Sequence, residues 1–365
     1  MRKKSGQRLL LVQVARAVGI ILVLIGHINI QFYERFTYDW FNMGVWDRTG
    51  GVDFFFVVTG FMIYYVYHHY IGTPGKASEF LVKRVIKIYP IYWVFTLLVL
   101  AGAFLFRGTE NFYTIEVIVK SMLLLPIDPA VAPPVLSAAW SLNHIGFFYV
   151  LAAFIIYKPC IFIPIVACWG ILTFFISLQE VFGRDWGNFV LSFSNLEIFA
   201  GCFIAYVYLN YNLRYAPFYI ITGIGGFIGI WINNIYGFIP MYEAQFHCLF
   251  SMMLILGLAL NEKKQKSIPA ALSFQGDASY SVFITHMPFL QLYIFLFAES
   301  SLIQGLGYFW SMVTIIVITV LSGNLVYLWV EKPMTTYLKS RLYHRVKIPA
   351  IKSARSLKQP GDVKS

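Results

Sequence analysis

Charge is scarce in this sequence. Asp, Glu, Lys and Arg make up only 12% of its 365 residues, against 59% hydrophobic, and the mean hydropathy is +0.68. Soluble domains carry roughly twice that share of charge, so most of the chain is not built to face water. Cysteine is sparse too. Cys160, Cys168, Cys202 and Cys248 fall in or beside separate hydrophobic runs, with no metal-ligand spacing and no expectation of a disulfide framework. There is no HExxH or Cys/His ligand pattern, so no metal is expected. There is no GxSxG nucleophile elbow either. No internal repeat is visible, which removes the inverted halves common in transporters. A basic start at Arg2, Lys3 and Lys4 precedes the first apolar run. No small-residue cleavage site follows it, so the first helix is expected to stay.

What is present is a series of apolar runs of about twenty residues, the length that crosses a bilayer as a helix. Ten spans are expected, near 9–30, 51–70, 88–106, 136–157, 159–178, 190–209, 216–236, 243–260, 277–298 and 308–330. The turn at 157–160 is short enough to force a tight hairpin. With the N-terminus in the cytoplasm, 22 of the 28 Lys and Arg residues fall in inside segments. Only Arg35, Arg48, Arg107, Lys120 and Arg184 fall outside. That is the positive-inside pattern, and an odd number of spans would break it. The expected fold is therefore an all-α polytopic membrane protein with about ten transmembrane helices and both termini cytoplasmic. It divides into a membrane domain, 1–334, and a basic cytoplasmic tail, 335–365. The tail reads as an interfacial helix that frays and is held weakly by anionic membrane lipid. The net charge of +11 follows this topology. The tail lacks aromatic interleaving or a recognition motif, so nucleic acid is not an expected partner. On the outer side, FYTIEVIVKSMLLL reads as an amphipathic helix at the interface.

The first span, LLLVQVARAVGIILVLIGHINI, carries Arg16 and His27. Eleven residues turn a helix by about 1100°, about 20° past three turns, so the two share one face roughly 16 Å apart along the axis. Ionisable groups at membrane depth are costly and usually functional. The plainer alternative is an arginine that snorkels and a histidine bonded to a neighbouring helix. The other polar exceptions within or at the ends of spans are Asp53, Asn143, His144, Glu197, His247, Asp277, His286, Asn324 and Glu331. Singly, each histidine reads most simply as a helix–helix contact. Together they suggest a polar cavity in which a neutral imidazole serves as a general base. On the inner side, EFLVKRVIKIYPIYW brings Lys83, Arg84 and Lys87 just before the third span. This reads either as ordinary positive-inside flanking or as a phosphate-binding patch, with Arg16 extending it into the membrane. The stretch GGVDFFFVVTGFMIYY opens the second span, and Gly60 permits a close helix contact there.

Taken together, these segments resemble the membrane-bound acyltransferase type 3 family, which includes O-antigen, exopolysaccharide and nodulation-factor O-acetyltransferases. VQVARAVGIILVLIGH is similar to the family's first helix, with Arg16 and His27 on its arginine and histidine. GVDFFFVVTGFMI is similar to its phenylalanine-rich motif, with Thr59 where serine is usual. FLVKRVIKIYPIYW carries Arg84 and Pro90 of the arginine-and-proline motif, with Lys87 where a second arginine is common. Trp140, Ser141, Leu142, Phe148 and Tyr149 fit a further motif. Ser279, Tyr280 and His286 fit another, and Glu331 opens the terminal EKP. One departure stands out: Ile145 occupies a position where the family often has glutamate.

The resemblance implies transfer of an acyl group, acetyl above all, from cytosolic acyl-CoA to a hydroxyl of a lipid-linked or exported glycan. It implies a bacterial inner-membrane setting. His27 is then base or acyl carrier, with His286 and Glu197 as further catalytic candidates, Glu197 standing in for the missing partner acid. Arg16, Lys83, Arg84 and Lys87 are the candidates for binding acyl-CoA. Glycan-export machinery or a second copy of the chain would be its protein partners. Two other readings use the same residues: a transporter or flippase for a polar solute, and a non-catalytic partner in glycan export.

Overall fold

The computed structural model of the protein describes residues 9–43, 49–107, 113–127, 132–177, 189–262 and 269–346. These form α1 (Leu10–Phe36), α2 (Gly51–Tyr67), α3 (Pro74–Arg107), α4 (Ile115–Leu123), α5 (Ala139–Tyr157) and α6 (Pro159–Ser177). The chain continues with α7 (Phe193–Asn210), α8 (Ala216–Tyr236), α9 (Glu243–Asn261), α10 (Ala270–Glu299) and α11 (Leu302–Val326). A π-helical turn, Tyr327–Glu331, leads into α12 (Lys332–Val346). Among the described residues, nine helices are long and apolar enough to cross a membrane. α7 completes the bundle against α2 and α9. Its Asn195 and Glu197 lower its hydropathy, and both are buried in the interior. The protein is an all-α polytopic membrane protein.

Lys158 alone separates α5 from α6, the tight hairpin that the sequence predicts. α6 buries only Thr173 and lines the periphery, whereas α10 buries residues around its whole circumference and is central. The basic segment 76–87 is not a loop ahead of the third span. It forms the first turns of one 34-residue helix, α3. The basic patch therefore obeys helical spacing, which decides which of its members meet.

The start of α1 is tied to the end of α9. The Glu262 carboxylate accepts from the Leu10 and Leu11 backbone N–H groups at 2.6 and 2.7 Å. These donors are left open by helix geometry and sit at the positive end of the helix dipole. Both helix ends thus share one face of the bundle, as an even number of crossings requires. Glu262→Ala is expected to cost about 1–2 kcal/mol, measured as a lower thermal midpoint in detergent. An unchanged midpoint would remove this capping role.

The outer amphipathic helix forms as α4, started by Thr114, whose hydroxyl accepts from Val117 N–H at 3.3 Å. Its last turn packs on the middle of α3, where Tyr89, Tyr92 and Trp93 donate to the carbonyls of Leu123, Ser121 and Met122 at 3.1, 2.7 and 2.8 Å. These donors satisfy carbonyls that a helix end leaves open.

α2 and α7 touch through their backbones. A Cβ on Gly60 would lie 1.7 Å from the Ile198 carbonyl oxygen, and one on Gly201 2.0 Å from that of Val57. Gly60 is legible in the sequence as a contact residue; its counterpart Gly201 is fixed only by the fold.

Candidate active site

Two cavities lie one behind the other along α1. The first, toward the end where α1 finishes, has a volume of about 250 Å³. α1 contributes Val23 and His27. The turn into α2 contributes Thr49 through Asp53, and Phe56 follows. Trp140 comes from α5, and Ser194 and Glu197 from α7. Glu197 is 0% and Asp53 3% exposed. Asp53 sits in the first turn of α2, where the helix dipole favours a carboxylate.

The turn before α2 is held from several sides. The Thr49 hydroxyl donates to the Leu22 carbonyl at 2.7 Å, and the Trp231 indole N–H donates to the Thr49 carbonyl at 3.2 Å. Gly50 has φ +77°, and a Cβ there would strike His247 and Phe227. Glycine is therefore required both by conformation and by space. His247 packs behind this turn as part of the cavity wall's support. His144 also supports. Asn195 spends its amide N–H groups on the Phe189 and Val190 carbonyls, so its oxygen accepts from His144 Nδ1–H at 2.8 Å.

His286 has a different position. Its ring lies 5.3 Å from that of His27. Its Nδ1 faces the Phe283 carbonyl at 2.5 Å, which requires the hydrogen on Nδ1 and leaves the lone pair on Nε2. That Nε2 is buried and has no hydrogen-bond partner among the described residues. The fold therefore brings together the three catalytic candidates: His27 and Glu197 on one cavity, and His286 beside His27. Asp53 is the member that sequence reasoning left without a role. Its signal was an acid at the start of an otherwise apolar, phenylalanine-rich span.

The second cavity, of about 120 Å³, lies toward the end where α1 begins. Its wall includes Arg16, Thr59, Arg84, Lys87, Tyr149 and Tyr280. The Arg84 guanidinium donates to the Tyr67 hydroxyl at 3.0 Å and lies over the rings of Tyr67, Phe80 and Tyr149. Arg16 donates to Gln13 at 3.2 Å and lies over Phe55. Lys87 is ion-paired with Glu331, which also accepts from the Ser281 hydroxyl at 2.5 Å. Glu331 closes the π-helical turn, a distortion often found at functional sites. Three cations thus line one confined space, with the Glu331 carboxylate paired to Lys87, a field that attracts an anion. Lys83 does not join them. It pairs with Glu79 at 2.5 Å, because one step along a helix turns it about 100° from Arg84, while Arg84 and Lys87 share a face.

These features have a family. The model described as acyltransferase domain matches residues 11–328. The chain belongs to the acyltransferase type 3 family. It is similar to the exopolysaccharide production protein ExoZ of Rhizobium meliloti (strain 1021), at 27% identity over 297 residues, covering 78% of this chain and 88% of that protein. No solved structure matches it. Within this acyltransferase, Ile145 lines the cavity of Arg16, Arg84 and Lys87. The position where glutamate is common therefore lies in the cationic cavity and not beside His27.

Proposed function

We propose that this acyltransferase takes an acyl group, acetyl by preference, from acyl-CoA in the cytoplasm and transfers it to a sugar hydroxyl of a lipid-linked or exported glycan outside. The observation that carries this is the alignment of a cationic cavity and an imidazole–carboxylate cavity on one stripe of α1, through Arg16 and His27. Positive-inside charge supports a cytoplasmic position for the cationic end, and the resemblance to the family supports the inner membrane of a bacterium as the setting. The similarity to an exopolysaccharide production protein supports a glycan acceptor.

A cavity of about 120 Å³ is too small for a nucleotide. The adenosine phosphates therefore stay at the cytoplasmic rim, in the field of Arg84 and Lys87, while the thin thioester arm enters past Arg16. At the far cavity, His27 takes the proton of the acceptor hydroxyl as its oxygen attacks the thioester carbonyl. A C–O bond forms, the C–S bond breaks, and His27 returns the proton to the departing thiolate. Alternatively, His27 carries the acyl group between two such steps. His286, whose ring lies 5.3 Å from that of His27, positions the His27 imidazole for its work as base. Asp53 and Glu197 hold sugar hydroxyls and stabilise the imidazolium.

The test is transfer from radiolabelled acetyl-CoA to host lipid-linked glycan, together with coenzyme A binding to the purified protein. Arg16→Gln and Arg84→Gln are each expected to weaken coenzyme A binding about tenfold or more, the worth of a charge-assisted contact to phosphate. Wild-type protein that neither binds coenzyme A nor labels glycan would refute the proposal.

A further inference from the structure

Among the described residues, none lines both cavities. Phe55 lines the cationic one and its neighbour Phe56 the imidazole one. Between them Phe55 stacks on Phe283, with ring centroids 5.5 Å apart and planes 12° from parallel. The stack is continuous with the catalytic groups on both sides. Arg16 lies over Phe55 at 5.8 Å, and Phe283 meets His286 at 5.7 Å. Both phenylalanines are buried, at 5% and 3% exposure. A run of ring contacts through α2 and α10, Phe55 on Phe283, therefore links Arg16 to His286 beside His27.

We propose that the Phe55–Phe283 pair is the partition that the acyl end of the donor must pass, and that it restricts transfer to narrow, uncharged acyl groups. This inference rests on the proposed donor route. A methyl carbonyl matches the partition, because it presents little width and no charge. A succinyl group would bring a carboxylate between two rings that offer it no hydrogen bond, which is costly. A branched chain would have to spread a stacked pair in a close-packed interior. The same partition keeps water in the cationic cavity from running on to the carboxylate cavity, so a bound thioester meets the acceptor hydroxyl and not solvent.

The test compares acetyl-, isobutyryl- and succinyl-CoA as donors for wild type, Phe55→Ala and Phe283→Ala, with coenzyme A binding measured in parallel. Wild type is expected to prefer acetyl over succinyl by about a hundredfold or more. Each alanine variant should bring isobutyryl transfer about tenfold closer to acetyl transfer and should release free coenzyme A without acceptor. In that release water supplies the oxygen, the C–S bond breaks, and carboxylic acid and thiol leave. If an alanine variant fails to fold, Phe55→Leu and Phe283→Leu retain the packing and should shift the ratio in the same direction. Wild type that transfers succinyl as readily as acetyl would overturn the inference. So would variants with intact coenzyme A binding and unchanged donor ratios. Loss of coenzyme A binding and turnover in wild type would instead overturn the proposed donor, and the partition with it.

Discussion

His27→Ala is expected to lower acyl transfer by about a hundredfold to ten-thousandfold while leaving coenzyme A binding within about twofold of wild type. The first figure is the worth of a positioned general base. The second follows from geometry, because His27 lines the cavity of Asp53 and Glu197 and not that of Arg16, Arg84 and Lys87. His286→Ala should act through His27. It removes a ring that packs against His27, so a drop in kcat of about tenfold with little change in KM is expected, and a double variant should be hardly worse than His27→Ala alone. Full additivity of the two would show that His286 works independently. Acid-quenched protein from the labelling assay separates the two roles left for His27: radiolabel retained on wild type and absent from His27→Ala marks an acyl carrier, and none on either marks a base. Normal transfer by His27→Ala would end the proposed mechanism.

The second large effect is structural. Gly60→Ala places a methyl where the Ile198 carbonyl oxygen stands, 1.7 Å away. The neighbour is backbone and cannot rotate aside, so α2 and α7 must separate. Overpacking of this kind costs about 1–3 kcal/mol or more. It also moves Asp53 and Glu197 apart, since each lies a few residues from the contact. The expected result is a lower thermal midpoint together with loss of transfer out of proportion to the loss of folded protein. Gly146→Ala is the control. A Cβ there meets nothing within 4 Å, and alanine is the better helix former. If Gly60→Ala and Gly146→Ala behaved alike, the α2–α7 contact would not be what sets the site's spacing.

Much of this architecture is legible without coordinates because it is local. Hydrophobic run length gives the crossings, and charge at the run ends gives their direction. Helical periodicity puts Arg16 and His27 on one stripe and Arg84 with Lys87 on another. Motif order gives the family. Less legible is what depends on contact between segments or on the phase of a helix. The end of α4 packs on α3 because Tyr89, Tyr92 and Trp93 supply donors to it. The basic run at 76–87 joined the third span because nothing interrupts its helix. Lys83 is next to Arg84 in sequence, but adjacent helical residues point apart, and it pairs with Glu79.

The sequence by itself determined that this chain crosses the membrane repeatedly, that a cation and an imidazole share a face of its first helix, and that its motifs are those of an acyltransferase. Those properties need only the period of a helix and the thickness of a bilayer. Tertiary structure decided which polar groups meet. It set Glu197 of α7 and Asp53 of α2 on the cavity of His27, laid the His286 ring 5.3 Å from that of His27, and put Ile145 among the cations. It also laid Phe55 on Phe283 between the two cavities. These pairings join residues up to hundreds of positions apart. They are fixed by how helices pack at their glycines and aromatic rings, an arrangement that no local pattern of residues encodes.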